Sequence, residues 1–171
     1  MSKRLGRNFY TRDVLEVAPS LLGKHLVRAW PDGSVSKYVI SETEAYRGEA
    51  DRACHASKGR TPRTKVMFGE GGHIYMYLIY GMYWMMNVVT EVEGVPQAVL
   101  FRGLSEAGGP GRLTRLIQVD KGFYGEDLVH SDRIWIEESG IEAQYSTGPR
   151  VGIDYAGDPW KNMPWRYLMI L

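Results

Sequence analysis

Residues 73–104 run His73-Ile-Tyr-Met-Tyr-Leu-Ile-Tyr80, Gly81-Met82, Tyr83-Trp-Met-Met-Asn-Val-Val-Thr-Glu-Val92, Glu93-Gly-Val-Pro96 and Gln97-Ala-Val-Leu-Phe-Arg-Gly-Leu104. Runs rich in β-branched and aromatic residues, separated by short glycine-bearing breaks, predict three strands that fold back on one another as an antiparallel sheet. Side chains alternate faces along a strand, so Tyr75, Tyr77 and Ile79 share one face. Tyr80 falls at the strand end beside Gly81, where a turn would project it outward.

Upstream, His25–Trp30 and Val35–Tyr46 read as strands flanking the turn Pro31-Asp32-Gly33-Ser34. The second ends in Ser41-Glu-Thr-Glu-Ala-Tyr46, and its period of two puts Glu42, Glu44 and Tyr46 on one face, with the carboxylates roughly 7 Å apart. Thr11–Leu22 carries apolar residues at near-helical spacing and predicts two short helices, the second opened by Pro19 and ended by Gly23. Thr61-Pro62-Arg63 reads as a cap and first turn of a short helix over Pro62–Phe68, closed by Gly69. Downstream, Gly108-Gly-Pro-Gly111 leads into a helix over Arg112–Val119. That helix N-terminus could hold a phosphate, and the glycines are equally explained by a tight turn. Asp132–Glu137 and Trp165–Leu171, around Gly148-Pro-Arg-Val-Gly152, read as strands that complete a mixed sheet.

A chain of 171 residues, 44% apolar, fits one domain over 1–171 with an ordinary core. No window approaches the ~18 consecutive apolar residues of a membrane span, and the charged start lacks the apolar stretch of a signal peptide. The expectation is a soluble, unexported, cytoplasmic protein, nucleoid-associated if bacterial, with no membrane partner. The single cysteine, Cys54, has no internal disulfide partner and reads as a small buried residue. A net charge of +1 argues against a histone-like coating protein. The total nevertheless hides segregation: residues 52–69 hold Arg52, Lys58, Arg60, Arg63 and Lys65 with no acid, whereas 120–142 hold seven acids against Lys121 and Arg133. One basic and one acidic face are expected, and binding follows the local field rather than the sum.

Taken singly, these residues have ordinary readings. A tyrosine stripe is cross-strand packing, the glutamates are a solvated strand face, His55 is a satisfied polar residue, and Asn87 and Arg102 hydrogen-bond backbone. Taken together, a carboxylate beside an aromatic plane and a cationic loop suit nucleic-acid chemistry. One reaction fits: hydrolysis at an anomeric carbon, where a carboxylate activates water or stabilises an oxocarbenium-like centre. An O-glycosidase using both glutamates fits poorly, because same-face carboxylates do not flank a sugar. The histidines His25, His55, His73 and His130 are scattered, with no HExxH and no paired cysteines, so neither metal nor cofactor is expected.

The blocks Glu42-Thr-Glu44-Ala-Tyr46, His55, Thr61-Pro-Arg63, Met67-Phe68, Tyr75-Met-Tyr77-Leu-Ile-Tyr80-Gly-Met82-Tyr83, Asn87, Val99-Leu-Phe-Arg102, Gly109-Pro-Gly-Arg112-Leu113 and Pro149-Arg-Val151-Gly152 closely resemble, in order and spacing, the alkyladenine (3-methyladenine) DNA glycosylases. The resemblance covers nearly the whole chain. It implies a compact α/β fold of the α+β kind, a curved, mostly antiparallel sheet with short flanking helices. It also implies a monofunctional DNA-repair glycosylase that flips alkylated or deaminated purines (3-methyladenine, 7-methylguanine, hypoxanthine, ethenoadenine) out of duplex DNA and leaves an abasic site. By family position Glu44 is the general base, with Arg102 and the backbone carbonyl of Val151 placing the water. Tyr46, His55 and Tyr77 are the walls around the extruded base, and Asn87 rejects guanine by its exocyclic amine. Tyr80 is the wedge left in the stack, and Met67, Met82 and Tyr83 join it among the DNA contacts. Arg60, Arg63, Lys65 and Arg112 are the expected phosphate grip. The expected partner is double-stranded DNA bearing a damaged purine, met by a monomer. The alternative is a non-catalytic sensor that binds and shields lesions. Two departures stand out: only Ser105–Gly108 lie where family members usually carry about two dozen more residues, and the chain ends at Leu171, slightly short of the usual end. Every pocket position is in place, and the departures bear on the extent of the DNA grip.

Overall fold

The meander forms as its residues require. In the computed structural model, which describes residues 3–170, β3 (Ile74–Ile79), β4 (Tyr83–Thr90) and β5 (Gln97–Leu104) pair antiparallel, with Ile79 opposite Tyr83 and Thr90 opposite Gln97. β1 (His25–Ala29) and β2 (Val35–Tyr46) form the expected hairpin, closed by the Trp30 N–H donating to the Ser34 carbonyl at 2.8 Å and by Gly33 at φ +91°. The strand order is β3-β4-β5-β2-β1-β7, with β7 (Ile134–Glu137) beyond β1. β6 (Ala107–Gly108) pairs with β5, and β8 (Gln144–Gly148) pairs with β9 (Arg166–Ile170), which in turn joins β2. Every strand pairing among the described residues is antiparallel, so the sheet is not mixed as expected. Leu171, expected within the last strand, lies outside the described residues.

β2 is the spine. Its first half pairs with β1 and its second half with β5 and β9, and its register with β5 is irregular between Ile40 and Thr43. Ile40 and Ala45, five apart and so on opposite faces of a regular strand, both lie in the main core, which the break in pairing permits. β8 went unread because its residues Gln144 to Thr147 are all exposed and show no apolar alternation.

Helices cover one face of the sheet. Only one helix, α2 (Val14–Ser20), forms where two were expected: Asp13 caps it by accepting from the Leu15 N–H at 2.8 Å, and Pro19 sits inside its last turn. Having no N–H, Pro19 cannot bond the Leu15 carbonyl, and the helix ends one residue later. A short α1 (Arg7–Tyr10) precedes it. The 61–68 segment is a Thr61–Thr64 turn followed by a 3₁₀ turn over Lys65–Phe68, closed by Gly69 as expected. α3 (Pro110–Ile117) begins two residues earlier than expected, with Gly109 at φ +100° and Pro110 in its first turn. A Cβ on Gly111 would stand 3.0 Å from Tyr83 Cδ1, so close packing on the hairpin accounts for that glycine. Among the described residues no helix is long and apolar enough to cross a membrane.

The acidic stretch 120–142 is not a free face. Glu126 binds Arg133 at 2.8 Å, Asp127 binds Arg7 at 2.5 Å and His130 at 2.9 Å, and Glu138 binds Lys24 at 3.1 Å. Asp127 thereby ties the stretch to α1, Glu138 ties it to Lys24 just before β1, and Glu126 closes a contact within it.

Candidate active site

Strand parity builds the site. Along β3, Ile74 and Met76 enter the main core, while Tyr75, Tyr77 and Ile79 point the other way. Cross-strand register then sets Asn87 beside Tyr75 and Leu100, Met85 beside Tyr77, Leu100 beside Glu44, and Ala98 beside Tyr46. Thr43 and Ala45 face the core, Thr43 donating to the Ala18 carbonyl of α2 at 2.9 Å, so Glu42, Glu44 and Tyr46 take the opposite face. Tyr46, Tyr75, Tyr77, Asn87, Leu100 and Arg102, with two loops, line a cavity of about 400 Å³. That is the scale of a small-molecule site, and its lining of rings and apolar groups with a few polar atoms has the usual character.

Glu44 is fully buried behind this lining. Oε1 accepts from the Tyr46 hydroxyl at 2.8 Å and Oε2 from the Val151 N–H at 2.7 Å. Arg102 Nε stands 3.7 Å from Glu44 Oε2 and 3.6 Å from Glu42 Oε2, while Glu42 also accepts from Arg166 Nε at 2.6 Å. Arg102 Nε is buried without a hydrogen-bond partner among the described residues. Burial pushes the Glu44 carboxyl above the ordinary carboxylate range, opposed by the Arg102 charge and the two donors. Two hydrogen bonds fix the carboxylate in place.

His55 and Tyr77 touch edge to face, centroids 4.5 Å apart at 72°, so they form one wall of the cavity rather than two. His55 Nδ1 is 2.8 Å from the Tyr75 hydroxyl. Burial pushes the imidazole down to about 4, helped by the Arg63 and Lys58 charges, so the ring is neutral near pH 7. Burial raises the Tyr46 and Tyr77 phenols, which stay protonated. Asn87 is buried and lines the cavity, its Nδ2 donating to the Tyr75 carbonyl at 3.2 Å.

At the mouth stands the β3–β4 turn. Tyr80 and Gly81 have φ of +52° and +64°, positive at both central positions as in a type I′ turn, and the Met82 N–H donates to the Ile79 carbonyl at 3.0 Å. Tyr80 is 85% exposed and Met82 63%, with Tyr83 partly exposed at the base of the turn. A projecting apolar tip of this kind on a soluble surface marks a contact site. Arg60, Arg63, Lys65 and Arg112 are all exposed and make no ion pair with another described residue. Met67 differs from the expectation of a duplex contact: it is 1% exposed and lines the cavity, where only an inserted group could meet it.

Three further features escaped the sequence reading. Tyr75 shares the Tyr77 face as parity predicts, but its hold on His55 is a tertiary contact. Tyr155, 72% exposed, sits at the cavity rim with its hydroxyl 3.3 Å from the Ala53 carbonyl. Asp51 and Arg150 form a fully buried ion pair at 2.6 Å behind the cavity, across 99 positions of sequence that no local pattern spans.

The chain is similar to known proteins over most of its length. The family model described as Methylpurine-DNA glycosylase (MPG) matches residues 8–108 and 105–170, two stretches that meet at the short Ser105–Gly108 connection. Relatives from Methanocella arvoryzae, Desulfitobacterium hafniense and Legionella pneumophila (strain Corby) are 44%, 43% and 45% identical over 95%, 98% and 94% of this chain and 90%, 95% and 91% of their own. Each bears the name "Putative 3-methyladenine DNA glycosylase".

Proposed function

The chain belongs to the methylpurine-DNA glycosylase family of DNA-repair enzymes, and from that premise we propose that it hydrolyses the N-glycosidic bond of alkylated or deaminated purines flipped out of duplex DNA, acting as a monomer with Glu44 as general base. The observation that carries this reading is the placement of Glu44: a buried carboxylate held by Tyr46 and the Val151 N–H, directly behind the point where those two residues and Arg102 line an aromatic cavity of purine scale.

In this reading the extruded purine lies between Tyr46 and the wall made by His55 and Tyr77. An N-alkylated purine is cationic, and electron-rich rings attract it while a neutral His55 adds no repulsion. The charge also makes it a good leaving group. Water held by Arg102 and the Val151 loop gives its proton to Glu44 as its oxygen bonds to C1′, and the C1′–N pair departs with the base. Asn87, anchored on Tyr75, presents its amide to the purine edge, where a guanine amine would meet it. Release of free 3-methyladenine or hypoxanthine from a lesion duplex, measured by chromatography, tests the reading. Binding without release would instead make the protein a lesion sensor.

The pH dependence has a defined sign. Glu44 acts only when deprotonated, so base release rises with pH through its raised pKa, and the acid limb lies above the ordinary range near 4.3. The Arg102 charge is the largest influence opposing that rise, so Arg102→Met moves the limb to higher pH and loses more activity at pH 6 than at pH 9. An unmoved limb would detach Arg102 from Glu44.

The free cations supply the grip on DNA. Replacing Arg60, Arg63, Lys65 or Arg112 singly by Gln is expected to weaken binding to lesion and undamaged duplexes alike and to reduce the slope of log K against log salt by about one unit. A residue whose loss leaves the slope unchanged does not touch phosphate.

A further inference from the structure

We propose that the buried Asp51–Arg150 pair is the positioning element of this site, holding the general base, one aromatic wall and the His55 loop in mutual register without touching substrate. The inference rests on the glycosylase reading above for the roles of those groups, and on geometry for the rest.

Arg150 grips both ends of the machinery. Its Nη1 donates to the Ala45 carbonyl at 3.0 Å, and Ala45 is the residue between Glu44 and Tyr46. Its guanidinium lies 4.9 Å from the Tyr46 ring and 5.0 Å from that of Trp165, which backs Tyr46 with a fixed cation. Its own backbone leads directly into Val151, whose N–H reaches Glu44 Oε2. Asp51 takes the guanidinium fork with both oxygens, at 2.6 and 3.0 Å. The same oxygens accept from the Arg47 N–H at 2.9 Å and the Ala53 N–H at 3.0 Å. That fixes the turn after β2 and the start of the loop that carries Ala53, Cys54 and His55 into the cavity wall.

A pair with that role alone in stability could be placed anywhere in the core. Beyond the bonds between the two side chains, their polar contacts instead land on the backbone of Ala45 and Arg47, which adjoin Glu44 and Tyr46, and of Ala53, two residues before His55, apart from the Trp160 carbonyl, which accepts from Nη2 at 3.2 Å. Arg150 Nε has no hydrogen-bond partner among the described residues, so the guanidinium is not placed to satisfy itself. Its planar fork suits this task in a way an ammonium does not.

The test uses Arg150→Lys and the double variant Asp51→Leu/Arg150→Met, which removes both charges together and so avoids a buried unpaired ion. The Glu44 carboxyl is titrated by carbon-13 NMR in the full chain, and single-turnover base release is followed against pH. Loss of register withdraws the Val151 N–H, a contact that favours the ionised carboxylate. The Glu44 midpoint and the acid limb should therefore both move to higher pH in each variant. Single-turnover release at pH 7 should fall about 10² fold, the scale set by a misplacement near 1 Å. The folded fraction is followed at each pH by circular dichroism and the activity divided by it, and the Glu44 midpoint is read from the native resonance, so partial unfolding moves neither. Wild-type midpoints in the folded variants would overturn the proposal, and so would loss of folding in both, which would mark the pair as a stability element only. If the wild-type chain releases no base, the glycosylase reading falls, and the NMR titration still decides whether the pair holds Glu44.

Discussion

Glu44→Gln abolishes base release at neutral pH, leaves lesion DNA bound, and raises thermal stability. Removing a general base lowers the chemical step by about 10²–10⁴ fold, which against a slow repair reaction is loss of product. Binding survives because the rings, the wedge and the cationic loop are untouched. The Gln side chain also keeps the local bonding: its oxygen accepts from the Val151 N–H, and its amide donates to the Tyr46 hydroxyl, which reverses its role. The gain in stability follows from linkage. Burial raises the Glu44 pKa on folding, so the native state binds more protons than the unfolded chain, and wild-type stability declines as pH rises from the unfolded value near 4.3 through the folded one. Gln carries no charge to desolvate and escapes that decline. Melting curves should place the variant above wild type at pH 8, with the gap closing as pH falls toward the ordinary carboxylate range. Release at the wild-type rate would remove Glu44 as the base, and a lower melting point at pH 8 would mean that its ion contacts outweigh its burial.

This site was legible wherever strand period alone decides side-chain direction. Alternation puts Glu44 with Tyr46 on one face of β2 and Tyr77 with Tyr75 on one face of β3, and the register through β4 and β5 then brings the two faces together. Arg102 and Asn87 stood out as polar residues among apolar ones, a pattern that demands a partner or a cavity, and both line the cavity. Tyr80 was readable because a strand end beside glycine leaves a side chain little to pack on. What stayed hidden is tertiary. The Asp51–Arg150 pair joins two loops whose meeting depends on β9 docking against β2, and nothing in either loop announces it. Asp127 and Glu138 look like part of a solvated face in sequence and act as anchors in the fold, because their partners Arg7 and Lys24 come from α1 and from the chain just before β1. β8 exists only as the partner of β9, so its own polar sequence carries no trace of it. Met67, which the family resemblance put among the DNA contacts, turns inward to line the cavity, and its place in the sequence does not announce that.

Tyr80→Gly should produce a protein at least as stable as wild type that repairs duplex DNA poorly. A bulky side chain at φ +52° holds a left-handed backbone worth about 1–2 kcal/mol of strain, and glycine removes it. Glycine gives back about 0.5–1 kcal/mol through its freer unfolded state, and the tyrosine ring, 85% exposed, contributes little burial to lose. The net gain is between about zero and about 1.5 kcal/mol, each kcal/mol worth about 2–4 °C in melting temperature for a chain of this size. Selection for folding alone would not keep a tyrosine here. A tyrosine there makes sense if the ring fills the gap left by the flipped purine, since unstacking and unpairing cost a few kcal/mol that the wedge must offset. Losing about 2 kcal/mol of that offset lowers release from a paired lesion about 30-fold. The same lesion in single-stranded DNA leaves no stack to fill, so its release should fall far less, and Tyr80→Phe should restore the duplex reaction because the ring rather than the hydroxyl does the filling. Equal losses on duplex and single strand would show that Tyr80 shapes the cavity mouth instead, and unchanged duplex release would show that it is not a wedge.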